Sequence, residues 1–119
     1  SGQTLTTRGA LMIPGAPRPD VYIAALGPQL LRIAGRRTAG TCTWMTGPTT
    51  LREHVGPSLR QAAADVGRPE GSVRVVASLP VSVTDDVDAA RKLAAEQFAM
   101  YGTLPSYRAM LDREGYAGP

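Results

Sequence analysis

Two short turns carry the residue types from which an anion site could be built. Ala25-Leu26-Gly27-Pro28 and Thr46-Gly47-Pro48-Thr49-Thr50 each bring a glycine to the start of an expected helix. Such a turn lets backbone amides approach a phosphate, and the helix dipole favours negative charge there. Thr46, Thr49 and Thr50 add hydroxyl donors. Neither turn matches a P-loop or a dinucleotide fingerprint. By pattern alone, the glycines turn the chain and the threonines cap a helix.

The other singular residues support less chemistry. His54 is the sole histidine, and no second ligand stands three or four residues away from it, so a solvated or capping role is expected. The sole cysteine, Cys42, falls within an expected buried strand and reads as a packed thiol. Trp44 reads as packing at the core or its rim. Asp85, Asp86 and Asp88 read as favourable charge at a helix start rather than a metal site. Tyr101 and Tyr107, near Arg108, read as packing residues, the alternatives being contact with a ligand or with a partner subunit. One histidine and one cysteine exclude Ser/His/Asp and Cys/His constellations, an internal disulfide and multi-cysteine zinc binding within these 119 residues.

The elements that must position these residues follow from the hydrophobic pattern. Val21–Leu26 is a short apolar run between a proline-rich stretch and Gly27, as in a strand buried on both faces. Pro28 suits the first position of a helix that stops near Gly35 or Arg37, with Leu30, Ile33 and Ala34 on one face. Thr41–Thr46 is a second strand, broken by Gly47-Pro48. Thr50 and Glu53 form a capping-box pattern for the next helix. Its stripe is Leu51, Val55, Leu59, Ala62 and Val66, Gly67 closes it, and Gly56-Pro57 is expected to kink it.

Alternation from Val73 to Val83 predicts a third strand, with Pro80 marking a bulge or a weakly paired end. Thr84 is expected to cap a helix running to about Tyr101, with Val87, Ala90, Ala94, Phe98 and Tyr101 facing one way. Pro105 starts a last short helix that closes at Gly115. Residues 1–19 form an irregular lead-in, with short strands possible at Thr4–Thr7 and Leu11–Ile13 and a turn or extended stretch over Pro14–Pro19. Strand and helix alternate, which means right-handed βαβ units and a parallel sheet. Three such strands cannot close a barrel.

Composition bounds the function classes. Apolar residues make up 43% and charged residues 19%, as in an ordinary globular protein, and the length allows one domain. The net charge of +3 is small and scattered. Despite a sequence pI near 9.5, the arginines cluster only at Arg36-Arg37, so a nucleic-acid module is a weak alternative. No apolar run approaches the ~18 residues of a membrane span. No signal peptide is visible, and a cytoplasmic protein is expected.

Val21–Pro28 followed by Leu30–Gly35, and Gly40–Gly47 with Thr46-Gly47-Pro48 at its end, resemble the luciferase-like monooxygenase family. Leu79-Pro80-Val81, Thr84-Asp85-Asp86 and Tyr101–Arg108 are similar to the actinobacterial branch that uses the deazaflavin coenzyme F420. The resemblance runs from about Pro19 onward. It implies a partial (β/α)8 TIM barrel over residues 20–119, covering about the fifth to seventh strands, with an extra C-terminal helix. The chain is then expected to be a C-terminal-half fragment, inactive alone, with its catalytic residues in the missing N-terminal half.

The resemblance also implies an oxidoreductase that transfers hydride between F420 (or FMN) and a small organic substrate. Cofactor contacts carry over to Ala24, Ala25, Leu26 and Gly27, and to Thr46 and Gly47, the last two helping to hold a phosphate. Leu26 stands where some members carry glycine. No metal, membrane or nucleic-acid partner is expected, whereas a homo-oligomer is. The competing reading is a non-catalytic half-barrel that binds a phosphate-bearing ligand or pairs with another chain.

Overall fold

In the computed structural model, which describes residues 4–10 and 12–116, three parallel strands lie in the order β1-β2-β3. β1 is Tyr22–Ala24, β2 is Gly40–Trp44 and β3 is Arg74–Ser78. Helix α1, Pro28–Arg37, connects the first pair. Helix α2 joins β2 to β3 and runs continuously through Pro48–Thr50, a π-helical turn at Leu51–Val55, and Gly56–Ala64. α3, Val87–Phe98, passes through a 3-10 turn at Ala99–Thr103 into α4, Pro105–Arg113. The expected βαβ alternation and parallel sheet are therefore present.

The register sets which side chains share a face. Ile23, Thr41 and Val75 are paired, and so are Ala24, Cys42 and Val76. Val75 packs on the core of Ala25, Leu31 and Val55, so the first row lies under α1 and α2. The second row is therefore turned the other way; Ala24 and Val76 there are exposed and Cys42 is half-buried. The sheet is thus covered by α1 and α2 on one face.

α1 and α2 pack closely because Gly35 has no side chain. A Cβ at Gly35 would overlap the Leu59 carbonyl and stand 2.7 Å from the Ala62 Cβ. Leu31 fills the space beside them and is fully buried. Leu31→Ala is expected to cost about 3 kcal/mol through lost burial and a residual cavity. A urea melt followed by circular dichroism checks it, with the midpoint falling and the slope unchanged.

Several sequence expectations need correction. The buried face of α1 is Leu31, Ala34 and Gly35, whereas Leu30 and Ile33 are exposed. Helices pack by close approach as well as by apolar bulk, and here Gly35 decides the contact. β1 is shorter than the apolar run Val21–Leu26, and β2 begins at Gly40 and ends at Trp44. β3 stops at Ser78, because β2 offers partners only that far, and Val81 and Val83 are exposed. Thr4–Thr7 and Met12–Ile13 form no strand, since the sheet gives them no neighbour; Leu11 lies outside the described residues. Pro14-Gly15 does turn, with Ala16 N–H donating to the Ile13 carbonyl at 3.2 Å.

α2 begins at Pro48 with Gly47 as N-cap, so Thr50 lies inside the helix and makes no capping box with Glu53. The π-helical turn ends at Gly56, whose N–H donates to the Leu51 carbonyl, and this wider turn precedes Pro57, which has no N–H to give. Val66 is exposed, while Gly67 adopts φ +71° just past the helix as expected. Asp86, not Thr84, caps α3 by accepting from the Ala89 N–H at 2.9 Å; Thr84 instead accepts from the Asp86 N–H. None of the residues of α3 is buried.

The molecule is open for its size. Its radius of gyration is 18.4 Å, against about 13.5 Å for a compact chain of this length. Its accessible surface is 9215 Å², roughly 3,000 Å² more than a folded monomer of this mass exposes.

Candidate functional site

Because the strands are parallel, their C-terminal ends come together, and a cavity of about 380 Å³ lies there. The turn Ala24–Gly27 and Leu30 form one wall, and Cys42, Thr43, Trp44 and Ser78 bring the other two strands to it. Ser106 and Tyr107, from the first turn of α4, complete the lining. Four of the six residues expected to bind a cofactor, Ala24, Ala25, Leu26 and Gly27, are thus together at one site.

The start of α1 faces this cavity uncapped. Gly27 is its N-cap, no side chain caps it, and a Cβ at Gly27 would meet nothing within 4 Å. The first-turn amides and the positive end of the helix dipole are directed toward that end. Thr43 adds a second polar feature. It is 3% exposed, and its hydroxyl has no hydrogen-bond partner. A buried hydroxyl without a partner is costly and calls for an explanation.

Trp44, Phe98, Tyr101 and Tyr107 form a chain of aromatic contacts beside the cavity. Trp44 meets Phe98 edge-on with centroids 6.2 Å apart, and Tyr101 meets Tyr107 edge-on at 4.9 Å. Phe98 and Tyr101 link these pairs at 6.2 Å. Burial raises the Tyr107 phenol above its ordinary pKa, and the neighbouring Tyr101 adds to the rise. Tyr107 is therefore a neutral hydrogen-bonding group at any physiological pH.

Thr46 and Gly47, the other two expected cofactor contacts, lie elsewhere. Thr46 is buried and its hydroxyl donates to the Trp44 carbonyl at 3.3 Å. The amides beyond Gly47 already hold an anion supplied by the chain. Thr50 N–H donates to one oxygen of Glu114 at 2.5 Å, and Thr49 N–H to the other at 3.3 Å. The Glu114 carboxylate lies so close to Gly47 that a Cβ there would stand 2.6 Å from both oxygens.

Partial burial of Glu114 pushes its pKa up, but the hydrogen bonds from Thr50 and Thr49 outweigh this and hold it below the ordinary value. The contact is therefore complete at neutral pH and is lost as pH falls through that lowered pKa. The Thr50 hydroxyl, donating to the Met110 carbonyl at 3.4 Å, ties the same two helices together.

His54 reaches back to the first turn, with Nε2 3.1 Å from the Leu26 carbonyl. Among the described residues no group of His, Cys, Asp and Glu could hold a metal ion. None of the described helices is long and apolar enough to cross a membrane.

A parallel sheet with a ligand-sized cavity at its strand ends is common to many enzymes, so the comparison with known proteins decides among them. The family model described as luciferase-like monooxygenase matches residues 1–119. The chain belongs to the luciferase-like monooxygenase family.

Relatives of this luciferase-like chain include uncharacterized proteins of Mycobacterium tuberculosis and Mycobacterium bovis. Each is 31% identical over 104 residues, covering 84% of this chain and 31% of the relative. The chain thus spans about a third of the length of the curated relatives it matches. No solved structure matches.

Several residues lining this cavity were not singled out as ligand contacts from sequence. Thr43 and Ser78 looked like ordinary strand residues, and Cys42 and Trp44 like packing. Their alternation with Thr41 gave a usable signal, since Cys42 and Trp44 share the face turned away from α1 and α2. Ser106 and Glu114 gave none, because their neighbours in space lie far away along the chain.

Proposed function

We propose that this luciferase-like chain is part of a (β/α)8 barrel oxidoreductase, of the F420-dependent branch, and supplies one wall of its cofactor site. The observation that supports this best is the cavity at the C-terminal strand ends, beside the uncapped start of α1. Ligands of parallel βα folds bind at that end. The sheet face turned away from α1 and α2, with Ala24, Cys42 and Val76 in register, then becomes the barrel interior. The free edges of β1 and β3 become the places where further strands continue the barrel, and the surplus surface is what those strands and their helices cover.

The residues present suit a tricyclic, phosphate-bearing cofactor. Small side chains at Ala24 and Ala25 and none at Gly27 allow a flat ring system to approach the backbone. The uncapped amides of α1 suit its phosphate. When bound, such a cofactor supplies hydride transfer chemistry. This chain's residues bind and orient: the Ala24–Gly27 turn sets the depth of approach, Tyr107 and Trp44 limit the cavity, and the aromatic chain behind them keeps water from that side. The substrate is a small organic molecule, met by residues outside this chain.

Titration of the full-length protein that carries this chain with F420 and with FMN, followed by cofactor fluorescence, tests the reading. Saturable binding of F420, competed by FMN only weakly, is expected. Saturable binding of FMN alone would overturn the F420 assignment, and binding of neither would overturn the site.

The open shape favours one further reading, a half-barrel that pairs with another chain, including a second copy. Light scattering distinguishes it: a monodisperse monomer counts against pairing.

A further inference from the structure

We propose that the N-terminal ends of the strands carry a second binding site, built from Arg18, Arg37, Arg68 and Arg74, for a small ligand with two linked phosphates. The site lies at the end of the sheet opposite the cofactor cavity and does not rest on the cofactor reading.

A cavity of about 420 Å³ lies at that end, within the range of small-molecule sites. Its arginines come from separate parts of the chain. Arg18 precedes β1, Arg37 ends α1, Arg68 lies between α2 and β3, and Arg74 opens β3. Folding therefore gathers charges that are scattered along the sequence. Asp20 is the one carboxylate in the lining. The excess of positive charge at the cavity is thus three, as large as the net charge of the whole chain. It is concentrated in one cavity and not spread along a face, as a nucleic-acid backbone would need.

Elsewhere arginines have carboxylate partners. Arg52 meets Glu53 and Arg108 meets Asp112, each at 2.9 Å, and Arg91 approaches Asp88 at 3.8 Å. At this cavity the pattern breaks. Among the described residues, the side chains of Arg18, Arg37 and Arg74 make no hydrogen bond or ion pair, and Asp20 pairs with none of them. Arg68 is anchored but not neutralised. Its guanidinium donates to the carbonyls of Gly35 at 2.8 Å, Thr38 at 2.6 Å and Ser72 at 3.1 Å. The C-terminal end of α1 offsets only about half a unit charge. Like charges held together in this way repel one another, and a bound anion relieves the repulsion.

The guanidinium fork fits phosphate oxygens with two parallel hydrogen bonds. A single phosphate carries about −1.5 to −2 at neutral pH, which leaves part of the excess unmet. Two linked phosphates match it, with three unpartnered arginines free to close around the anchored Arg68.

Calorimetric titration of the full-length protein that carries this chain with inorganic pyrophosphate, ADP and inorganic phosphate tests the site. Pyrophosphate or ADP is expected to bind on the order of tenfold more tightly than phosphate. The tighter of the two shows whether the diphosphate is free or part of a nucleotide, and either result supports the site. Arg37→Gln and Arg74→Gln are each expected to weaken that binding roughly ten- to hundredfold. Both residues are exposed, so the thermal melt is expected to stay unchanged. Arg74→Lys, which keeps the charge and loses the fork, is expected to recover only part of the affinity.

Equal affinity for phosphate and the diphosphates, no binding of any of them, or unchanged affinity in both glutamine variants overturns the proposal. Tighter binding of a DNA or RNA oligonucleotide than of pyrophosphate also overturns it. Diphosphate binding that is lost in Gly27→Asp places the anion at the cofactor end and does the same. Arginine-dependent diphosphate binding in a protein that takes neither F420 nor FMN supports this site and removes only the cofactor reading.

Discussion

Gly40→Ala is expected to lower the urea midpoint of the chain by about 2 M. Gly40 opens β2 at φ +155° and pairs with Arg74 of β3. A Cβ there would overlap the Arg74 carbonyl and come within 2.8 Å of its backbone nitrogen. The three nearest atoms all belong to the backbone of the paired strand, so no side chain among them can turn away to make room. The strands must separate at this point or the register must slip, which would turn the Thr41 row away from the helices. Overpacking and the unfavourable φ together cost roughly 3 kcal/mol, a large part of the stability of a small domain. An unchanged midpoint would mean that Gly40 does not face Arg74.

Gly27→Asp is expected to separate folding from binding. An aspartate at the N-cap is among the best caps, and its charge suits the helix start, so stability should hold or rise by a few tenths of a kcal/mol. The new carboxylate would sit at the amides of α1 as Glu114 sits at those of α2. Affinity for a phosphate-bearing cofactor is then expected to fall on the order of a hundredfold, about 2.7 kcal/mol. Gly27→Asn, which caps without charge, should lose less. A thermal melt and a cofactor titration on the same samples check both halves. Equal affinity in wild type and Gly27→Asp would remove the start of α1 from the site.

The order of strands and helices was legible because it depends on local signals. Gly27-Pro28, Gly47-Pro48, Gly67 and Pro105 each punctuate the chain where the structure does. Lengths and faces were less so, because partners decide them. Val81 and Val83 continue the alternation of β3, but β2 has already ended. Leu30 is more apolar than Gly35, yet the glycine faces α2 because only it allows the backbone of that helix so close.

The candidate site divides in the same way. Ala24–Gly27 could be read as a turn at a strand end, and the structure places all four residues at the cavity. The Thr46–Gly47 turn looked its equal, because nothing near it in sequence hints at Glu114. The Thr50-Glu53 pattern even suggested a local cap, when the acid that serves the α2 start comes from the far end of the chain. Thr43 gave no hint, since an unpartnered hydroxyl is a property of packing.

Trp44 is the sole tryptophan of the chain. Since it lines the cavity and also carries Phe98 on its edge, its emission is a single optical channel onto two events. A ring stacked in the cavity quenches it directly, whereas loosening of the Phe98 contact changes the polarity around the indole and moves its wavelength. Intensity and colour of one fluorophore thus distinguish occupancy of the site from detachment of α3, without any label being added.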